Sequence, residues 1–299
     1  MRTNTFTDLG TNTLGATTVE EALSMGGLDY EVQKKPIYLA DGTEIHGYKS
    51  TVRDTDNHIY GIVSDKYNIV QNKDGFGFID YLKDDIKFEK IGETSGGMIY
   101  LIASLAPIKI LGDEFKPHLI FINSHNGRFQ LQTTICPLRI VCQNQFNIAF
   151  RESPNTITIR HSSLAEVRLK EAFHVLKGTA DYMKELNIKA EQWATTKVSN
   201  QQINQIIEEL FPIKHDMKDF QIQRLEDSKL SFIQAYKIND NGNFQNTMWG
   251  LINAYSDYIT HKEPIRKTST AEENKFITVT FNPSLMMNFI QLVTSKITA

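Results

Sequence analysis

The 299-residue chain contains 40% hydrophobic and 22% charged residues and carries a formal net charge of −3. This composition is that of an ordinary globular protein of one long or two compact domains, and the near-neutral charge excludes a generally basic, histone-like protein. Two cysteines are too few for a disulfide framework. The sequence shows no signal peptide and no run of 18 apolar residues. We therefore expect a cytoplasmic protein without membrane contact.

The first 70 residues are predicted to form one short helix followed by strands. Residues 18–21 (Thr-Val-Glu-Glu) have the pattern of a capping box, and the helix that they begin should end at the Gly-Gly pair of residues 26–27. Between residues 28 and 70, turn-forming Asp, Asn and Gly residues separate runs rich in Tyr, Ile and Val, which predicts about three strands in hairpins.

The central region predicts a short helix, three strands and a further helix. The short helix covers residues 72–82, and the strands cover residues 98–106, 117–123 and 128–135. The last two strands should pair through Asn126-Gly127, because Asn-Gly between apolar runs favours a type I′ hairpin turn. Residues 138–150 are predicted to be helical, although the β-branched Ile140-Val141 pair would also suit a strand.

From residue 163 onwards the apolar period is helical. The first helix begins at a second capping box, and others are expected over residues 203–210, 220–238 and 247–260 and after Pro283. In the helix at 247–260, the polar Asn253 is expected to bond a loop of the front half or a ligand between the halves. The apolar residues predicted to form the core stripe of the first helix are Leu169, Phe173, Leu176, Ala180 and Met183.

The sequence therefore predicts an α+β fold with an N-terminal antiparallel sheet and short helices, followed by a mostly helical half. We expect a mixed region over residues 1–162 and a helical region over residues 163–299, which together could also form one domain.

A basic segment extends from Ile120 to His161. Its four arginines and single acid, Glu152, give it a charge of +3, which indicates a site for an anionic partner. The alternative is that the arginines cover a sheet edge and pair with acids elsewhere. Arg139 lies among apolar residues, where an unpaired guanidinium would be costly, so it must have a strong partner. The predicted nucleic-acid contacts are Arg128, Arg139, Arg151, Arg160, His125, Asn126, Gln143, Asn144 and His161.

No residue set in the sequence predicts catalysis, a metal or a cofactor. The Cys136-x5-Cys142 spacing lies outside the two-to-four-residue gap usual in structural zinc sites, so core roles are expected even with His118 available. A nucleophilic Cys142 would need a lowered thiol pKa and an orienting acid. The chain also lacks the glycine-rich phosphate-binding and hydrolase motifs.

Four motifs resemble the phage/plasmid-like protein family, a domain of unknown function found in bacteriophages, plasmids and bacteria. They are residues 124–127 (Ser-His-Asn-Gly), 138–144 (Leu-Arg-Ile-Val-Cys-Gln-Asn), 159–162 (Ile-Arg-His-Ser) and the Thr-x-Trp-Gly-x2-Asn-Ala-x3-Tyr pattern of 247–258. The chain departs from the family pattern after Asn144, where Gln145-Phe146 replaces Thr-Leu, and at Asn126, where Asp is common.

The resemblance implies a mobile-element protein without an assigned activity. The strand-strand-strand-helix order of residues 98–150 is also similar to the core of phage single-strand annealing proteins of the Rad52 and Redβ type. The leading hypothesis is a protein that binds single-stranded DNA and works as a homo-oligomer. Its role would be in strand annealing or recombination. The alternatives are a protein that binds and inhibits a host nuclease or defence enzyme, and an enzyme acting on nucleotides or nucleic acid through His125, Cys142 or His161.

Overall fold

The computed structural model of the protein describes residues 9–139, 144–159, 164–238, 244–264 and 268–298. It confirms the predicted α+β class, because antiparallel sheets with short helices come first and a mostly helical half follows. One hydrophobic cluster takes in side chains from both predicted regions. The division near residue 162 stays a prediction.

The strands form a large and a small antiparallel sheet. In chain order they are β1 Thr11–Asn12, β2 Val32–Tyr38, β3 Glu44–Arg53, β4 Ile59–Ser64, β5 Lys87–Glu93, β6 Met98–Ser104, β7 Ile108–Ile110, β8 Asp113–Ser124, β9 Gln132–Arg139, β10 Asn144–Gln145 and β11 Thr156–Thr158. The large sheet has the order β1-β5-β6-β8-β9-β10, with β7 beside β8 and β11 beside β9. The small sheet is β2-β3-β4, which confirms the three strands predicted before residue 70.

Both faces of the large sheet are buried at its centre. Every residue of β6 is buried: Ile99 and Leu101 face the main cluster, whereas Tyr100 and Ile102 face a second cluster that includes Phe276. Because successive side chains of a strand point to opposite faces, a strand covered on both sides has a continuous apolar run instead of alternation.

The helices that begin at Val19, Asn200 and Met248 have a Thr or Ser N-cap. The helix that begins at Ala165 has Leu164 as its N-cap without a side-chain cap bond, and the Ser163 predicted to begin it lies outside the described residues. The helices are α1 Val19–Gly26, α2 Asn72–Phe76, α3 Ala165–Thr195, α4 Asn200–Leu210, α5 Asp219–Ile238, α6 Met248–Asp257, α7 Ala271–Phe281 and α8 Ser284–Thr298, with a 3-10 turn at Ile79–Leu82 and a π-helical turn at Tyr258–Lys262. The N-cap of α1 is Thr18, whose hydroxyl accepts a hydrogen bond from the Glu21 amide as predicted.

Within the described part of the chain, no single helix has the length and apolarity needed to cross a membrane. One bent pair, α7 with α8, meets those two requirements only when the helices are taken together.

Residues 144–145 form a strand and residues 146–150 have no regular secondary structure, so the helix predicted over residues 138–150 is wrong where the structure describes it. Arg139 ends β9 and pairs with Asn144 of β10, and the Phe146 amide donates to the Pro137 carbonyl. The Tyr182 hydroxyl of α3 donates to the carbonyls of Phe146 and Ile148 at 3.2 and 2.9 Å. These partners satisfy backbone groups that a helix would otherwise pair within itself.

Gly250 allows α6 to begin close to the preceding loop. A Cβ at this position would lie 2.2 Å from the Phe244 carbonyl oxygen. That carbonyl also accepts a hydrogen bond from Thr247, the N-cap of α6. The Thr-x-Trp-Gly motif is therefore explained by a cap and a close backbone approach.

Gly250→Ala is expected to lower the free energy of unfolding by about 1–3 kcal/mol, because the loop must shift. Helix propensity alone would instead favour alanine by about 1 kcal/mol. Urea denaturation distinguishes the two effects, and a stabilised variant would contradict the close approach.

Candidate nucleic-acid interface

The predicted nucleic-acid contacts are dispersed. Gln143, Arg160 and His161 lie outside the described residues, as does Cys142. Arg128 lies before the start of β9 at Gln132, and Arg139 is the last residue of β9. At about 3.3 Å per residue, the strand from Gln132 to Arg139 is about 23 Å long. Among the described residues, the arginines therefore do not line one groove.

Arg139 is buried and bound to protein groups. Its side chain is 2% exposed, and its Nε and Nη2 atoms donate to Asp113 Oδ2 at 3.0 and 2.6 Å. Its Nη1 atom donates to Asn253 Oδ1 at 3.2 Å. Asp113 is thus the strong partner that the sequence predicted for Arg139. Asn253 accepts a hydrogen bond from Arg139 and so contacts the front half, as expected. Since protein groups occupy the guanidinium, its placement does not support a phosphate contact.

Two other predicted contacts, Asn144 and Arg151, differ in exposure. Asn144 is fully buried beside Arg139, so it presents no side chain to a partner. Arg151 is 97% exposed and lies 4.0 Å from Glu152. An exposed arginine with an acidic neighbour is an ordinary surface feature.

The predicted hairpin is present, but its turn is wider than a two-residue type I′ turn. Strands β8 and β9 pair from Phe115–Arg139 to Ile122–Gln132, which leaves residues 123–131 outside this pairing. Gly127 has a φ of 73°, whereas Asn126 is not among the non-glycine residues with positive φ. The Asn126 side chain instead accepts from the Arg128 amide at 3.0 Å, which forms a turn through the side chain.

Hydrogen bonds from three chain segments hold this turn in place. Ser124 Oγ accepts from the Phe129 amide at 3.1 Å and donates to its carbonyl at 2.9 Å. Asn126 Nδ2 donates to the Gly96 carbonyl at 2.8 Å, and the Tyr67 hydroxyl donates to the Ser124 carbonyl at 3.1 Å. The backbone that carries Arg128 is therefore constrained while the Arg128 side chain stays exposed.

We call the surface around this turn the hairpin-end surface. A Cβ at Gly127 would lie 3.8 Å from the half-buried ring of Tyr67, so the Tyr67 side chain packs against the turn. We include in this surface the exposed residues next to Tyr67 and next to the turn in the chain. The exposed members of this surface are Lys66, Asn68, Arg128 and Gln130. They are two cations and two amides, a combination that suits phosphate and base contacts.

His125 lies beneath the turn and is buried. Its Nε2 atom is 3.1 Å from Asn72 Oδ1, which also accepts from Asn123 Nδ2 at 3.2 Å. The rings of Tyr60 and Tyr30 lie 5.2 and 6.2 Å from the imidazole. Burial lowers the pKa of His125 to about 4, so the ring is neutral at pH 7.

The donor and acceptor roles around His125 argue against a surface contact or a catalytic base. Because an amide oxygen only accepts, Nε2 carries the proton, and Nδ1 has no hydrogen-bond partner among the described residues. Because the ring is fully buried, neither nitrogen is accessible to a substrate or a nucleic acid. The placement of His125 therefore supports a role in packing beneath the turn.

A network that sequence reasoning missed connects the small sheet to the large one. The Tyr60 hydroxyl donates to the Tyr30 hydroxyl at 2.6 Å, and Tyr30 donates to Glu93 at 3.2 Å. Arg53 Nη1 donates to Glu93 at 3.1 Å, and its guanidinium lies 4.8 Å from the centre of the Tyr30 ring. Burial raises the pKa of Tyr30 to about 12, so the hydroxyl remains a donor. These residues come from three separate segments, and no spacing pattern signals them.

A cleft of about 640 Å³ on the large sheet contains a second polar cluster. His118 Nδ1 lies 3.1 Å from the Lys116 carbonyl and Nε2 lies 3.0 Å from Glu89. Both partners are hydrogen-bond acceptors. Burial raises the pKa of Glu89, but bonds from His118, Lys116 and Ser104 outweigh it and lower the pKa to about 2. Both ring nitrogens are occupied, so His118 is not placed as a base.

The described residues contain no group of three or more His, Cys, Asp and Glu side chains that could hold a metal ion. Cys136 is a buried free thiol in the second hydrophobic cluster, and burial raises its pKa to about 12. A thiol of this kind is a packing group.

The fold and the site define an α+β protein whose large antiparallel sheet presents an anchored, arginine-bearing hairpin turn. The chain belongs to a family described as a domain of unknown function, DUF932, whose model matches residues 59–278. No curated protein and no solved structure matches it. The matched segment includes the hairpin turn, Arg139 with Asp113, and the Trp249-Gly250 motif.

Proposed function

We propose that the protein binds single-stranded nucleic acid through the hairpin-end surface. The observation that carries this proposal is the anchoring of the turn by hydrogen bonds while Arg128 stays exposed. Tyr67 donates to the Ser124 carbonyl, the Asn126 side chain donates to the Gly96 carbonyl, and the Phe129 amide donates to Ser124 Oγ. An arginine on a constrained backbone loses less conformational freedom when it pairs with a phosphate, and charge-assisted bonds to phosphate are strong.

The surface offers contacts to an unpaired strand. Arg128 and Lys66 would bind successive phosphates, and Asn68 and Gln130 would donate to or accept from base edges. The half-buried rings of Tyr67 and Phe129 would stack on bases, which a single strand exposes and a duplex hides.

The resemblance to the phage/plasmid-like family supports this proposal, since mobile elements encode proteins that handle DNA. A strand-annealing role, carried out by a homo-oligomer of this chain, is part of the same proposal. The similarity in element order to the Rad52 and Redβ type does not support it, because the described residues between 98 and 150 form strands and no helix. The annealing role therefore rests on the family resemblance alone.

Arg128→Ala is expected to weaken binding of labelled single-stranded DNA about fivefold at moderate salt, as for loss of one exposed charge-assisted bond. It should also reduce the slope of log affinity against log salt by about 0.7, the change expected for one phosphate contact on a single strand. Fluorescence anisotropy titrations at several salt concentrations measure both quantities.

Arg151→Ala is the matched control, because it removes the same charge from an exposed site in the segment between β10 and β11. Its affinity and salt slope should stay near those of the parent protein. Equal losses in the two variants would indicate general charge attraction and contradict a site at the turn. Absence of binding at low salt would overturn the proposal and favour the inhibitor of a host protein.

A further inference from the structure

The apolar stripe that the sequence predicted for the core of α3 lies beside the core. Phe173 is 62% exposed and Leu169 is 39% exposed. The buried face of α3 is instead formed by Ala172, Val175, Thr179, Tyr182, Leu186 and Ala190. The predicted stripe, with its steps of four and three residues, thus runs along the edge of the core. Leu169, Phe173 and Ala180 are exposed, whereas Leu176 is half-buried and Met183 packs into the core.

A groove of about 530 Å³ continues this stripe. One wall is formed by Leu176, Ala180 and Met183 of α3. The other wall is formed by the segment around β7 and the start of β8, namely Leu105, Ala106, Ile108 and Pro117. A groove with apolar walls on both sides can take the side chains of a helix that lies along it.

Lysines flank the groove. Lys170, Lys177 and Lys184 recur every seven residues on α3, which places them in one row beside the stripe, and Lys109 lies on the opposite wall. Lys170 pairs with Glu166, whereas Lys109, Lys177 and Lys184 form no ion pair with any described residue. Asp85 is the acidic side chain among the groove-lining residues.

The charges disfavour a second copy of this chain as the occupant. Two α3 helices packed antiparallel through the stripe would bring their lysine rows together, and like charges repel. Parallel packing would oppose each lysine row to Ala172, Thr179 and Leu186, which are already covered by the core of their own molecule.

We propose that the stripe and groove of α3 are a docking site for an acidic amphipathic helix of a partner protein. The helix would insert apolar residues at steps of three and four into the groove and place Glu or Asp opposite the lysine row and Lys109. This surface does not include the hairpin-end surface, and the proposal does not depend on nucleic-acid binding.

Two labelled 18-residue peptides test the proposal. Both carry Leu at steps of three and four; one has Glu at the flanking positions and the other has Lys. We expect the Glu peptide to bind the full-length protein at least tenfold more tightly in fluorescence anisotropy. Ala180→Glu, which puts a charge into an exposed position of the groove wall, should weaken Glu-peptide binding at least tenfold.

A charge reversal provides the decisive variant. Lys177→Glu combined with Lys184→Glu should make the protein prefer the Lys peptide, a gain that misfolding cannot produce. Lys189→Glu, on another side of the same helix, and Phe220→Ser, an exposed apolar residue of α5, should leave the preference unchanged.

Three results would overturn the proposal. One is equal affinity for the two peptides or no binding of either. Another is a homodimer, seen by sedimentation, that Phe173→Ser dissociates. The third is binding to anionic lipid vesicles or single-stranded DNA that the double charge reversal abolishes while the Glu peptide binds as before.

Discussion

Replacement of Asp113 by alanine is expected to lower the free energy of unfolding by about 3 kcal/mol, the lower end of the range for breaking a buried ion pair, because Asp113 itself is 25% exposed. The cost arises because the 2%-exposed guanidinium of Arg139 loses the carboxylate that accepts two of its N–H groups. Urea denaturation followed by circular dichroism measures the change.

The double variant Arg139→Met with Asp113→Leu should recover most of the lost stability, since it removes both charges together. Arg151→Ala, at an exposed arginine, should change stability by less than about 0.5 kcal/mol. A loss below about 1 kcal/mol for Asp113→Ala would show that Arg139 is not held as a buried pair. Arg139→Ala could therefore bind nucleic acid weakly because part of the variant is unfolded. Its folded fraction must be measured before the loss is assigned to a contact of Arg139.

Lowering the pH from 7.5 to 5 is expected to reduce the free energy of unfolding by about 2 kcal/mol through His125 alone. Its pKa is about 4 in the folded protein, below the value near 6.5 of an unfolded chain, because burial disfavours the charged ring. The unfolded state therefore binds more protons between these values. Stability is retained above pH 6.5 and falls as the pH decreases towards 4.

His125→Gln removes the titrating group and should flatten this dependence between pH 7.5 and 5. Glu89, with a pKa of about 2, contributes to pH dependence only below its unfolded value near 4.5, so it does not overlap most of the window. Urea midpoints at pH 7.5, 6 and 5 for both proteins give the comparison. An unchanged pH dependence in the variant would mean that His125 is not a buried neutral ring.

A hydrolytic or nucleotide-modifying activity that depends on His125 would contradict the packing role proposed for this side chain. Loss of turnover in a folded His125→Gln variant would favour the enzymatic alternative. The buried position of the ring between Asn72, Tyr30 and Tyr60 leads us to expect no such activity.

Several features followed from the sequence because they depend on neighbours within a few residues. Thr18 caps α1, Asn126-Gly127 turns between β8 and β9, and the apolar run from Met98 remains a strand. The requirement that Arg139 have a partner also followed, since the free energy of a buried guanidinium depends on its apolar surroundings. Such local preferences were sufficient to predict the α+β class.

Tertiary structure alone decided which distant groups meet. Asp113 and Asn253 reach Arg139 from 26 and 114 residues away, and no spacing rule connects them. Residues 144–150 are not helical, against their local pattern, because β9 and Tyr182 provide hydrogen-bond partners for their backbone. Helical periodicity identified one apolar stripe on α3 and missed that the adjacent face would be covered by the core. A period reports that residues share a face and not what that face contacts.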